Sequence, residues 1–168
     1  MHLLLDGYNL LHNTPELAPA LARGQGRAAL LKALQLYRAK RRHRLTVVFD
    51  GGPGEAPSRG SESGVPVIYS GTGGSADDVI AEISAKHGPG VTVITDDREL
   101  AQRCISNGSE VIASWEFAAR LMEAAQGKVE GLEPHGEDAG WDFTTKKKGP
   151  AKRLPKSKRR KADKIKKL

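Results

Sequence analysis

The sequence predicts an α/β fold, a three-layer α/β/α sandwich on a mainly parallel sheet of about five strands. Three observations carry this. Leu3-Leu4-Leu5 is apolar without alternation and stops on Asp6, as expected of a strand buried on both faces of a helix-covered sheet. Similar runs recur at Val47-Val48-Phe49, Val67-Ile68-Tyr69 and Val91–Ile94, each leading to acids. Helix signals fall between them, and that β–α alternation is the pattern of a parallel sheet.

The first strand ends at Asp6, and a loop follows Asn9. Thr14 as N-cap with Pro15 behind it predicts a short helix to about Leu21, broken by Gly24 and Gly26. A longer helix is expected over 27–42, with Ala28, Leu31 and Leu34 in its apolar stripe and a basic far end. Leu45 to Asp50 is the second strand. Residues 51–64 hold five glycines and two prolines and read as a mobile loop with no packed element. Val65 to Tyr69 is the third strand, and Ser75 caps a helix opening Ala76-Asp77-Asp78. Gly88-Pro89-Gly90 ends it. Val91 to Thr95 is the fourth strand, 97–107 a helix, Glu110 to Ala113 the fifth strand, and Ser114 caps a last helix to about Ala125.

The domain expectation is a body over 1–127, an acidic and glycine-bearing linker over 128–145 that could dock through Trp141 and Phe143, and a disordered Lys/Arg-rich tail over 146–168. The overall charge of +7 hides an asymmetry: the tail holds thirteen Lys/Arg and one acid, so the preceding residues carry −5. A lone Cys104 excludes an internal disulfide and a cysteine-based zinc site, and reads as buried and inert. The first apolar run is too short for a signal core or membrane span, so a cytoplasmic protein without membrane contact is expected.

If the strands are parallel, Asp6, Asp50, Asp77 and Asp97 fall at one sheet edge, with Asp78 and Asp96 beside them. Converging carboxylates stay ionised together only beside cations. An oxygen-rich acidic set suits Mg²⁺ or Mn²⁺, ions that can activate water and stabilise a departing oxygen in phosphodiester hydrolysis. Asn9 could align a phosphate. Tyr8 could stack on a base or simply pack in the core. Gly71–Gly74 is no Walker A motif, so no nucleotide cofactor is expected, and a flexible linker outweighs a phosphate cradle there.

Four ordered blocks carry a resemblance: Asp6-Gly7-Tyr8-Asn9, Val48-Phe49-Asp50-Gly51, Ser75-Ala76-Asp77-Asp78-Val79-Ile80, and Thr95-Asp96-Asp97-Arg98-Glu99-Leu100. Over residues 2 to about 125 the chain resembles a NYN domain of the PIN-like nuclease superfamily, in its YacP-like bacterial branch. The resemblance implies a PIN-like fold and a metal-dependent ribonuclease. By position, Asp6 is the first acid, Asn9 the NYN asparagine, Asp77 the helix acid and Asp97 the last acid, with Asp96 as its neighbour. Asp50 sits where flap-endonuclease-like relatives carry an acid. The early-helix glutamate of many PIN domains has no good counterpart: Glu16 is a poor candidate, and Asp50 is the substitute.

The expected activity is thus an endoribonuclease using Mg²⁺ or Mn²⁺, with Asp6, Asn9, Asp77 and Asp97 in the chemistry. RNA, including ribosomal or other structured RNA, is the expected partner. Expected contacts are Arg38, Arg41 and Arg42 on the long helix, and Lys146, Lys147, Lys148, Lys152, Arg153, Lys158, Arg159, Arg160 and Lys161 in the tail. The alternatives are a non-catalytic RNA-binding protein on the same fold and a flap-type DNA nuclease. The second is disfavoured because the chain is short for the helices that hold bent duplex DNA.

Overall fold

Leu3, Leu4 and Leu5 are all fully buried, but on two different sides of the sheet. The computed structural model, which describes residues 1–126, shows why. Strand β1 (His2–Asp6) lies at the centre of a six-stranded sheet of order β3-β4-β2-β1-β5-β6. Its neighbours are β2 (Arg44–Phe49) and β5 (Thr92–Ile94), both parallel to it. The parallel set is completed by β4 (Val65–Tyr69) beside β2 and β6 (Glu110–Ile112) beside β5.

Successive strand residues point to opposite faces, so each face has its own core. Leu3, Leu5, Val47 and Phe49 pack with α1 (Gly7–His12), α3 (Gly26–Lys40) and α6 (Ser114–Ala125). Leu4, Val48 and Ile68 pack with α4 (Ala76–His87) and α5 (Arg98–Ser106). Each such side chain contributes roughly 1.5–3 kcal/mol by leaving water. The chain winds outward from β1 to β2 and β4, then crosses back to β5 and β6. The carboxyl ends of β1 and β5 therefore flank the switch point where open α/β sheets bind ligands.

Three expectations need correction. Residues 51–64 are not an unpaired mobile loop: β3 (Ser58–Glu62) runs antiparallel to β4 through a hairpin with positive φ at Ser63 and Gly64, the conformation of a tight two-residue turn. Ser-Arg-Gly-Ser-Glu has no apolar alternation because β3 is a largely exposed edge strand, for which short, charged sequences are usual. Gly71, Thr72 and Gly73 are neither a flexible linker nor a phosphate cradle. Their amides donate to the carbonyls of Gly51, Gly54 and Glu55, and a Cβ on Gly71 would lie 2.4 Å from the Glu55 carbonyl oxygen. Finally, the chain turns into α1 directly after Asp6. Thr14 does not cap by side chain: its hydroxyl donates to the Leu10 carbonyl ahead of a 3₁₀ turn (Pro15–Leu17) and α2 (Ala18–Ala22).

The linker and tail expectations, with Trp141, Phe143 and the basic residues from Lys146 onward, lie outside the described residues. Among the described residues no helix is long and apolar enough to cross a membrane. Cys104 is buried, and burial pushes its thiol pKa up, as an inert cysteine requires.

Candidate active site

Asp6 ends β1 and at the same time caps α1, because one side-chain oxygen, Oδ1, accepts the Asn9 amide at 3.1 Å. Its other oxygen accepts the Thr95 hydroxyl at 3.2 Å. The turn is possible only with glycine next: a Cβ on Gly7 would lie 2.3 Å from the buried Phe49 ring. Asp6 is 8% exposed. Burial, then repulsion from Asp77 and Asp50, pushes its pKa up to about 6, against the opposing Asn9 and Thr95 hydrogen bonds.

Asp50 follows β2 and accepts the Ala76 amide at 2.6 Å through Oδ1, which ties the start of α4 to the sheet edge. Asp77 stands in the first turn of α4. Its pKa is raised by burial first, then by Asp97 and Asp50, with Arg103 opposing. Asp97 caps α5 through Oδ1 to the Leu100 amide at 2.7 Å, and its own amide donates to Thr95 Oγ1. The repulsions felt by Asp6 and Asp77 thus link Asp6, Asp50, Asp77 and Asp97 into one electrostatic group.

The other two acids have partners of their own, although Asp78 also adds to the repulsion on Asp77. Asp78 pairs with Arg103 at 3.0 Å and accepts from Ser75, interactions that hold its pKa below the usual carboxylate range. It faces the groove between α4 and α5. Asp96 turns toward α6, where Oδ1 accepts the Ser114 amide at 3.1 Å. Its Oδ2 is buried with no hydrogen-bond partner among the described residues.

Asn9 organises that second side. Its Oδ1 accepts the Asp96 amide at 3.0 Å, the Ser114 hydroxyl at 2.7 Å and the Asn13 side-chain amide at 3.3 Å. One side chain thereby joins α1, the end of β5 and the start of α6. Its Nδ2 has no hydrogen-bond partner among the described residues. Sequence reading gave Ser114 a capping role; its hydroxyl is instead spent on Asn9. Thr95, 2% exposed, bridges Asp6 and Asp97 with one hydroxyl. A strand-ending threonine beside two acids is a weak signal, and the Ser114–Asn9 bond, 105 residues apart, leaves no local signal.

Arg38, Arg41 and Arg42 are not brought to the acids. They sit at the end of α3, next to the start of β2, so they lie at the opposite sheet edge, about 15 Å away along a strand. Arg38 there donates to the Gly64 carbonyl of the β3–β4 hairpin.

The donor chemistry of the acidic edge is all hard oxygen. Asp50 and Asp97 each commit one oxygen to a helix amide, and Asp77 commits neither among the described residues. Among the described residues, however, no three His, Cys, Asp or Glu side chains are close enough to ligate one ion together. An ion at this edge would therefore be held directly by no more than two of these carboxylates.

Asp6 makes stability pH-dependent. An acid whose pKa rises on folding stabilises the native state while protonated, so this contribution is full below about pH 4 and is lost as pH rises through about 6. Relative to wild type, Asp6→Asn is therefore expected to gain about 1–3 kcal/mol between about pH 4 and pH 7.5, on top of a pH-independent change from the disturbed cap. Urea denaturation in EDTA across that range checks this; a gap independent of pH would contradict it.

Comparison with known proteins gives three results. The family model described as a YacP-like NYN domain matches residues 3–167, which includes the linker and nearly all of the tail. UPF0178 proteins of Brucella ovis and Brucella canis are 39% identical over 79 residues, and the chain spans about half (47%) of their length. The crystal structure of Rae1 (YacP) from Bacillus subtilis is similar in fold, with a TM-score of 0.61 and 23% identity over 75% of this chain and 76% of that one. A variant of the same protein gives 0.61 and 22%, over 74% and 77%.

Proposed function

The chain belongs to the YacP-like NYN family of PIN-like nucleases, and from that premise we propose that it is an endoribonuclease that hydrolyses RNA phosphodiester bonds at the Asp6–Asp50–Asp77–Asp97 edge with Mg²⁺ or Mn²⁺. The observation that carries this reading is the gathering of acids from three strand ends and the first turn of α4, in which burial and neighbouring carboxylates raise the pKa of Asp6 and of Asp77. Such an arrangement costs stability, and a bound cation removes the cost.

Asp77, with either Asp97 or Asp50 through its remaining oxygen, would hold the ion, with water filling the rest of its shell. When bound, the ion supplies Lewis-acid polarisation of the phosphodiester and a water of lowered pKa. Asp6 and Thr95 fix the ends of β1 and β5 so that these oxygens share one edge. The Asn9 amide nitrogen is the donor offered to a phosphate oxygen, while its carbonyl oxygen keeps α6 in place. In this reading Asp78 and Asp96 support helices rather than bind the ion.

The basic segment over 146–168 is proposed to recruit RNA, including ribosomal or other structured RNA, by phosphate contact without sequence readout. The body over 1–127 is proposed to cleave, in the cytoplasm. Labelled RNA should be cut in Mn²⁺ or Mg²⁺ and not in EDTA, and matched DNA should survive. RNA bound but never cut would leave a non-catalytic binding protein, and DNA cut in preference would favour the flap-type reading. Deleting 146–168 should weaken RNA affinity at least about tenfold near physiological salt and flatten its dependence on salt concentration; an unchanged affinity and slope would refute the recruiting role.

A further inference from the structure

The acidic edge accounts for the phosphate backbone but not for a second feature. A pocket of about 380 Å³ opens between α1, the start of α3 and the β3–β4 hairpin, lined among others by Tyr8, Leu11, Gly24, Arg27 and Glu62. Its volume lies in the range of small-molecule sites, about 300–1,000 Å³. Tyr8 is two residues beyond Asp6, so one wall of the pocket is built on α1, the helix that Asp6 caps.

Its lining combines three recognition chemistries. Tyr8 is 36% exposed, which is unusual for a large aromatic fixed against the core: its ring meets Phe49 edge-on at 5.3 Å, and Phe49 in turn stacks on Tyr69 at 6.1 Å. An exposed, immobilised aromatic is a platform for a base. The Arg27 guanidinium lies over the Tyr69 ring at 5.5 Å and brings a planar set of donors. Glu62 accepts the Tyr69 hydroxyl through Oε1, and Oε2 has no hydrogen-bond partner among the described residues. A carboxylate offers acceptors at both oxygens and no donor.

This inference rests on the reading of the chain as an RNA-cleaving protein and adds a specificity to it. We propose that the Tyr8–Arg27–Glu62 pocket binds a guanine base of single-stranded RNA. Guanine alone among the RNA bases presents two adjacent donors, N1–H and the N2 amino group, on one edge and two acceptors, O6 and N7, on another. Glu62 matches the first pair and Arg27 the second. Adenine places an amino group where guanine has O6, opposite the arginine. Uracil and cytosine lack the paired donors. Tyr8 stacks on whichever base enters and contributes affinity without selecting. The need for an unpaired base restricts the substrate to loops, bulges and single strands, since bases inside an RNA helix do not expose these edges to a pocket.

The test measures binding in EDTA, so it is independent of cleavage. The full chain is titrated with a short fluorescent oligouridine carrying one central guanosine, and with the same RNA carrying adenosine or inosine there. Inosine lacks only the N2 amino group. The guanosine RNA is expected to bind at least about tenfold more tightly than the adenosine RNA, with inosine between them. Glu62→Gln, whose fold is checked by circular dichroism, should reduce that preference to twofold or less. Tyr8→Ala should weaken all three RNAs alike by about fivefold or more. Equal affinities of the wild-type chain for the guanosine and adenosine RNAs would overturn the proposal without any variant, as would a preference that persists in Glu62→Gln. Guanine preference without cleavage in Mn²⁺ overturns the nuclease reading and leaves the pocket; cleavage without guanine preference does the reverse.

Discussion

Asp77→Asn is expected to lower the rate of Mn²⁺-dependent RNA cleavage by at least about a hundredfold while leaving the protein folded and no less stable. The loss follows from role. A carboxylate that holds a catalytic ion supports several kcal/mol of charge stabilisation in the transition state, and each 1.36 kcal/mol is a factor of ten in rate. The unchanged stability follows from geometry. Asp6, Asp50 and Asp97 each hold a backbone amide, so replacing them disturbs a cap as well as a charge. Asp77 makes no such bond among the described residues, and its pKa is raised by burial and by Asp97 and Asp50. Its charge therefore opposes folding at neutral pH when no cation is bound, and asparagine removes that opposition. Single-turnover cleavage beside urea denaturation in EDTA separates the two effects. A variant that cuts at the wild-type rate would remove Asp77 from the site, and one that loses activity only through unfolding would make it structural.

Asn9→Ala is expected to cost about 2–4 kcal/mol of stability and to abolish cleavage, by loosening the edge and by removing the donor proposed for phosphate. The Asn9 side-chain oxygen receives the Asp96 amide and the hydroxyl of the fully buried Ser114. Alanine leaves both donors without that acceptor, in a setting where each unmet donor costs about 1–3 kcal/mol. It also frees the start of α6 from the end of β5, beside Asp97. Asn9→Asp keeps the acceptor and should recover most of the stability, though not a contact that needs the amide donor. The denaturation midpoints of the two variants, with unchanged m values, check this. If alanine were as stable as wild type, the clamp would carry no energy.

The sequence made the parallel sheet legible because burial on both faces leaves a local mark: unbroken Leu, Val and Ile runs that end on acids. Asp6 and Asp97 could be placed for the same reason, since each stands at the junction of a strand and a helix that are both visible locally. Strand β3 was hidden because an exposed edge strand buries almost nothing and so needs no apolar pattern. The amides of Gly71–Gly73 were hidden because backbone pairing between two loops carries no side-chain signature. The role of Asn9 could not be read because its partners are 87 and 105 residues away. The position of Arg38, Arg41 and Arg42 could have been found: a helix that leads into the next parallel strand must end at the opposite sheet edge from the acids.

The acidic edge is proposed to hold a cation on Asp77 together with one of its neighbouring acids. Crystals soaked in MnCl₂, with diffraction recorded at an energy where manganese scatters anomalously, test it most directly. The account predicts an anomalous peak within coordination distance of Asp77 and of at least one of Asp6, Asp50 and Asp97, weakened or lost in Asp77→Asn. A manganese peak elsewhere on the chain, or none at this edge at saturating Mn²⁺, would contradict it.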